Sequence, residues 1–265
     1  MPIIQTKSKD TTNKIQFDAR SHTYKINNTY LDSVTAWIGE YFCTPFKEGN
    51  KHIFMAHNKA KSNKNKGTGI TDADILQRLW TLGGQRAASN GTATHTYIEM
   101  LHLYRQYNDD LQWETGYEQA GYVAYNTVVN NWSIIELERT VYSEEYRLAG
   151  HIDGVIQHKK SKVFGLLDWK TIGDMHKSYN TMKNELSAYK ETPLNKATVQ
   201  LTTYAILSGL EIDWSNLYIF QLKSDGTVVT FGGKKEPLPN MKKGVLEALD
   251  RRKVIVNPES IFKYL

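Results

Sequence analysis

The spacing of apolar positions along the chain changes period twice. Up to residue 31 it predicts short strands, with Ser21-His22-Thr23-Tyr24-Lys25-Ile26 running into Asn27-Asn28, a hairpin signal because Asn tolerates the left-handed backbone of a tight turn. Spacings of three and four then take over. Ser33 can cap a helix through about Phe42, the segment from His52 to Lys61 suits a second helix, and Thr71-Asp72 opens a third toward Leu82, where Gly83-Gly84 predicts a stop. Ser62 to Gly69, rich in Lys, Asn and Gly and without an apolar anchor, predicts a mobile loop. Further helices are predicted from Gln85 or Gly91 to Tyr107 and from Tyr117 to Trp132.

From Ser133 the period becomes two. Ile134 to Tyr142, Leu148 to Gln157 and Lys162 to Thr171 predict three successive strands, the last two joined by the short basic turn His158-Lys159-Lys160-Ser161. A helix from about Lys196 to Ser208, strands from Leu217 to Leu222 and Thr227 to Phe231 around Ser224-Asp225-Gly226, and a closing helix after Pro239 complete the pattern. Neither a repeat nor a strong linker interrupts it. The expected fold is α/β, a central mixed sheet with an antiparallel meander flanked by helices. Residues 1–90 would form N-terminal strands and a helical elaboration, residues 91–265 the core, and the two together one compact domain.

Composition narrows the class. At 265 residues with 40% hydrophobic and 23% charged positions, the chain can bury a large core, which excludes collagenous, disordered and small disulfide-scaffold classes. No apolar run approaches the ~18 residues of a membrane span, and Met1-Pro2-Ile3-Ile4-Gln5 lacks a signal pattern, so no membrane partner and no secretion are expected. Cys43 is the sole cysteine, which rules out an intramolecular disulfide and any iron–sulfur or Cys-built zinc site. A reducing compartment, the cytoplasm of the cell or of a phage host, is expected. The balance of 33 Lys+Arg against 28 Asp+Glu permits a polyanionic partner without demanding one. Basic residues do cluster: Lys59, Lys61, Lys64 and Lys66; Lys159, Lys160 and Lys162; and Lys234, Lys235, Lys242, Lys243, Arg251, Arg252 and Lys253. Solvated helix faces and loops would explain the same runs. Sixteen Tyr and six Trp could stack on bases or simply fill a core.

Asp153 is the most telling residue. It lies in Leu148-Ala149-Gly150-His151-Ile152-Asp153-Gly154-Val155-Ile156, and a carboxylate within an apolar strand is costly unless an ion or hydrogen bonds compensate it. The next strand carries Leu167-Asp168-Trp169-Lys170, where Asp168 and Lys170 share a face ~6.5–7 Å apart along the strand. This is the single acid-x-lysine triplet in the chain. A tight hairpin between the two strands would bring Asp153 to the side of Asp168. Two carboxylates and an ammonium so placed suit Mg²⁺ or Mn²⁺, as one or two ions, and hydrolysis of a phosphodiester; a plain ion pair between Lys170 and one Asp is the alternative. Upstream, His95 and Glu99 at i and i+4 could reach a common ion, or His95 could be an ordinary packed histidine. Downstream, Gln200 and Tyr204 repeat that spacing with an amide and a phenol, suited to a phosphate oxygen or to core packing.

The order Gly-x-x-x-His-x-x-x-Glu, Gly-x-x-Asp-Gly, Asp-x-Lys and Gln-x-x-x-Tyr resembles the PD-(D/E)xK nuclease superfamily, in particular its RecB-like branch with the phage-type exonucleases and the mitochondrial genome maintenance exonuclease. The segment around Ser33-Val34-Thr35 and that from Trp80 to Ala88 are similar to the helical lead-in of phage members. The resemblance implies a restriction-endonuclease-like core and a metal-dependent exonuclease acting on DNA, from a free end. It implies His95, Asp153, Asp168 and the Trp169 carbonyl as metal ligands, Lys170 as the group that positions or activates water, and Gln200 and Tyr204 beside the scissile phosphate. Glu99 and Glu138 would stand behind these as supporting acids, and Lys59, Lys61, Lys64 and Lys66 could close over a strand of DNA. Ile152 replaces the proline that often precedes the first Asp of the motif, as in RecB-like members. Within enzymes the alternative is a structure- or sequence-specific endonuclease on the same fold; outside them, a DNA-binding or assembly module without activity.

Overall fold

A computed structural model describes residues 15–18, 23–26, 29–44, 50–106, 111–178 and 180–256. Among them the chain forms a mixed eight-stranded sheet between two layers of helices. Three short strands come first, β1 (Gln16–Asp18), β2 (Thr23–Ile26) and β3 (Thr29–Ser33), joined antiparallel. Helices α1 (Val34–Tyr41), α2 (Asn50–Lys66), α3 (Ala73–Gln106) and α4 (Gly116–Asn131) follow. The antiparallel meander is β4 (Trp132–Ser143), β5 (Leu148–His158) and β6 (Phe164–Lys170). Helix α5 (Pro193–Leu207) crosses over to β7 (Ile212–Leu222), which runs parallel to β6; β8 (Val228–Gly232) and α6 (Lys242–Val256) complete the order.

Adjacent strand residues point to opposite faces, and Leu166 and Leu167 divide accordingly between two apolar cores. Leu166 packs with Val34 and Trp37 of α1, Ala197 and Leu201 of α5, and Val245 and Leu249 of α6. Leu167 and Trp169 pack with Ile98 and Leu101 of α3 and Ala120 and Ala124 of α4. Capping follows local chemistry: Ser33 Oγ accepts from Ala36 N–H, and Thr115 and Glu118 form a reciprocal capping box at α4.

Four boundaries differ from the sequence expectation. Gly83-Gly84 does not stop a helix; α3 passes through both glycines for 34 residues. Each glycine costs ~1 kcal/mol against alanine, but Gln85-Arg86-Ala87-Ala88 are good helix formers, no proline follows, and extending a formed helix costs far less than nucleating one. The expected loop from Ser62 is helical to Lys66. Ala56 and Ala60 of α2 pack against Leu76, and Asn63 of the same helix is buried, its Nδ2 donating to Ile70 O at 2.7 Å; that anchor is polar, so apolar patterning missed it. Strand β6 begins at Phe164 because Lys162 turns with a φ of 61°, and β7 begins at Ile212, earlier than Leu217. The Asn27-Asn28 turn and the expected helix end at Tyr107 lie outside the described residues. No described helix is long and apolar enough to cross a membrane.

Candidate metal centre

Strand β5 pairs with β4 along one whole edge, but its other edge is shared. Strand β6 bonds to it from Gln157 to Gly154, and β3 bonds to it at Leu148 and Ala149. Between these, at Gly150 to Asp153, β5 and β6 part. The register Gly154 opposite Leu167 carries forward to set Asp153 level with Asp168. At the parting, Asp153 Oδ2 accepts a hydrogen bond from Trp169 N–H at 2.7 Å, so a carboxylate rather than backbone satisfies the next amide of the ladder.

Both carboxylates are buried. Lys170 Nζ donates to Asp168 Oδ1 at 2.6 Å, while Asp168 Oδ2 is buried with no hydrogen-bond partner among the described residues. Burial pushes the Asp168 carboxyl up to about 6, with the Lys170 charge opposing and the Asp153 charge reinforcing the shift. Asp153 is likewise raised by burial, against the pull of His95 and Lys170. Burial disfavours the Lys170 ammonium, but Asp168 and Asp153 outweigh it and hold the lysine above its ordinary value.

His95 reaches this opening from α3. Its Nδ1 lies 3.2 Å from Glu138 Oε1, its Nε2 3.1 Å from the Trp169 carbonyl oxygen and 3.7 Å from Asp153 Oδ2. Burial opposes a charged ring, yet Asp153 and the Glu138 hydrogen bond prevail and raise His95 to about 9, so that at neutral pH both ring nitrogens donate. One helical turn earlier, a Cβ on Gly91 would stand 3.3 Å from Thr171 Oγ1; the glycine lets α3 approach the end of β6 and bring His95 within reach. Glu138 has a φ of 49°, a left-handed backbone that costs a non-glycine residue of order 1–3 kcal/mol. It stands between Leu137, opposite Gly154, and Arg139, opposite Ile152, and so comes level with Asp153 on the other side of β5. Glu99, a turn after His95, is raised by burial and by the charge of Glu138.

From the other face, α5 brings Gln200 and Tyr204, with Gln200 Nε2 donating to the Tyr204 hydroxyl at 3.2 Å. The phenol is raised by burial and senses both Asp153 and Asp168. A Cβ on Gly150 would lie 2.6 Å from the Tyr204 hydroxyl oxygen, so this glycine also marks a close approach. Lys59, Lys61, Lys64 and Lys66 are exposed on α2, none of whose described residues belongs to the cluster.

The grouping differs from the expected ligand set. The side chains whose donor atoms lie within 4.8 Å of one another are His95, Glu138 and Asp153, so Glu138 is in the cluster rather than behind it. Asp168 is engaged by Lys170, which is the ion pair held open as an alternative, and the Trp169 carbonyl accepts from His95. The alternation of Glu136 and Glu138 concealed the role of Glu138, because its left-handed backbone breaks the period of two. Gln221, which sequence reasoning passed over, is buried opposite Lys170 and donates through Nε2 to the carbonyls of Ile172 and Gly173 at 2.8 and 2.9 Å, pinning the chain just past the lysine.

An imidazole and two carboxylates in one cluster, beside a buried carboxylate oxygen that lacks a partner, suit a hard divalent cation. No protein-family model matches this chain, and no curated protein matches it significantly. The case for function therefore stands on the geometry of the site. Acids, an ammonium and an imidazole converge here from both faces of a parted sheet, a place for an anionic substrate only if a cation offsets the carboxylates.

Proposed function

We propose that the protein is a metal-dependent deoxyribonuclease of the PD-(D/E)xK type, RecB-like branch, that hydrolyses phosphodiester bonds from a DNA end. The observation that carries this reading is the parting of β5 from β6, which sets buried Asp153 level with buried Asp168 and Lys170 beside the latter. His95, Glu138, Asp153 and the free Asp168 oxygen would hold Mg²⁺ or Mn²⁺. When bound, the ion would lower the pKa of water and stabilise charge on the phosphoryl group. Lys170, whose ammonium donates to Asp168 at 2.6 Å, would be the residue to orient the attacking water. Gln200 offers an amide N–H and Tyr204 a hydroxyl for a nonbridging phosphate oxygen. The charged His95 must yield a ring proton to ligate a metal, so the cation would bind with release of a proton.

The preference for an end rests on the motif order. An inactive DNA-binding module is the weaker reading, since burying an ammonium between two carboxylates brings a scaffold little net stability. The test is cleavage of linear and covalently closed circular DNA with Mg²⁺ or Mn²⁺ and with EDTA. Lys170→Met is expected to abolish cleavage of linear DNA while the variant stays folded. Undiminished cleavage by that variant refutes the assignment, and cleavage of the circle turns it toward an endonuclease.

A further inference from the structure

Strand β6 loses support where the site needs it. On one edge its register with β5 ends at Leu167, opposite Gly154, and Lys170 is the last residue of the strand. From Asp168 onward the regular ladder lies on the β7 side, where Lys170 stands opposite Gln221. A strand end paired along a single edge opens readily, and a lysine carries its ammonium on a flexible four-carbon stem.

Gln221 supplies the missing support. Leu217 and Ile219 occupy the same face of β7 and pack in the core with Leu166, so the period of two calls for a third aliphatic side chain at 221. An amide stands there instead, 4% exposed, between Phe220 and Leu222, which belong to the other core. Burying an amide is costly unless it is hydrogen-bonded, and Nε2 donates to both the Ile172 and the Gly173 carbonyl, at 2.8 and 2.9 Å. Nearby, Thr171 lies against Gly91 of α3, where a Cβ would meet Thr171 Oγ1 at 3.3 Å, and Met175 is buried and accepts from Leu194 N–H of α5 at 3.0 Å. The segment that follows the lysine is thus fixed from β7, α3 and α5.

We propose that Gln221 is a positioning residue for Lys170: by holding the carbonyls of Ile172 and Gly173 it fixes the end of β6, and with it the direction of the Lys170 ammonium. The proposal rests on the nuclease reading above. Gln221 acts on neither DNA nor the metal, so its effect belongs to turnover, where a misplacement of ~1 Å costs on the order of a hundredfold. A residue that only filled the core would change stability and leave the turnover of the folded protein as it was.

The experiment measures kcat and KM on linear DNA, below the melting temperature of each protein, together with thermal melts with and without Mn²⁺. Gln221→Met keeps the length of the side chain and removes both donors; Gln221→Asn keeps the amide but is one methylene short of reaching both carbonyls. In Gln221→Met kcat is expected to fall roughly ten- to a hundredfold, and in Gln221→Asn by less, with KM and the Mn²⁺-induced rise in melting temperature close to those of the wild type. A wild-type kcat in both folded variants overturns the proposal. So does a loss confined to KM, or one that tracks a vanished Mn²⁺ shift, because the defect then lies in binding DNA or metal; in each of these cases the nuclease reading stands. If Gln221→Met does not fold, Gln221→Asn decides on the same terms. Absence of any divalent-dependent cleavage by the wild type overturns the nuclease reading and the role of Gln221 with it.

Discussion

Replacing Gly150 by alanine tests the geometry on which the site depends. The added Cβ would lie 2.5 Å from Tyr204 Cε1, 2.6 Å from its hydroxyl oxygen and 2.9 Å from Cζ, where carbon atoms settle at ~3.5–4.0 Å. The ring must therefore retreat by about 1 Å, and it is 3% exposed, fixed among Leu148, Ile152 and Leu201 and bonded to Gln200. Overpacking of a filled core costs ~1–3 kcal/mol, while alanine returns ~0.4–1 kcal/mol by stiffening the unfolded chain. A net loss of about 1–2 kcal/mol follows, or a fall of about 2–8 °C in midpoint for a chain of this size. Urea denaturation should show a lower midpoint at unchanged slope. In a Tyr204→Ala background the same substitution has room for its methyl, and the penalty should vanish or reverse, giving a coupling of about 1–2 kcal/mol between the two positions. A Gly150→Ala protein as stable as wild type, or one equally destabilised without the Tyr204 ring, refutes the close approach. Activity adds a second readout: with the phenol displaced and the 3.2 Å contact to Gln200 broken, cleavage well below the melting temperature should fall.

Two further outcomes follow from the charges of the cluster. Mn²⁺ at about a hundredfold over its dissociation constant should stabilise the folded protein by ~2.7 kcal/mol, about 5–10 °C in a thermal melt; Glu138→Gln should cut that shift by at least half, and equal shifts in the two proteins would show that Glu138 is not a ligand. In EDTA, the raised His95 contributes stability that is complete below about pH 6.5, its unfolded value, and is lost as pH rises toward about 9; urea titrations across that window should show a decline that His95→Gln flattens.

The sequence made the meander, α5 and the α/β class legible because each has a clean period and buried apolar positions. Asp153 and Asp168 were legible for the opposite reason, as charges in apolar strands, and the short turn at His158 to Ser161 sufficed to place them side by side. Gly91 and Gly150 stood in the motifs as letters; the approach of Thr171 and Tyr204 gives each a steric reason. What escaped was written in the backbone and in polar anchoring. Glu138 enters the cluster through a left-handed residue, the α2 helix extends through Asn63, and α3 continues across two glycines whose missing side chains face open space.

The opening between β5 and β6 explains why acids, imidazole, amide and phenol can meet at all. A continuous sheet would separate its two faces, leaving His95 with one core and Tyr204 with the other. Here β6 leaves β5 after Gly154, and β3 takes the vacated edge only at Leu148 and Ala149, so four residues of β5 border both layers. Asp153 closes the ladder there by accepting from the Trp169 amide, and the Trp169 carbonyl on the same peptide-bearing residue accepts from His95. One residue of β6 thus ties the carboxylate of β5 to the imidazole of α3, while its neighbours Asp168 and Lys170 face the α5 side with Gln200 and Tyr204. Ionisable groups drawn from both cores share a single gap, where burial drives Asp168 toward neutrality while Asp153 and Glu138 hold His95 as a cation.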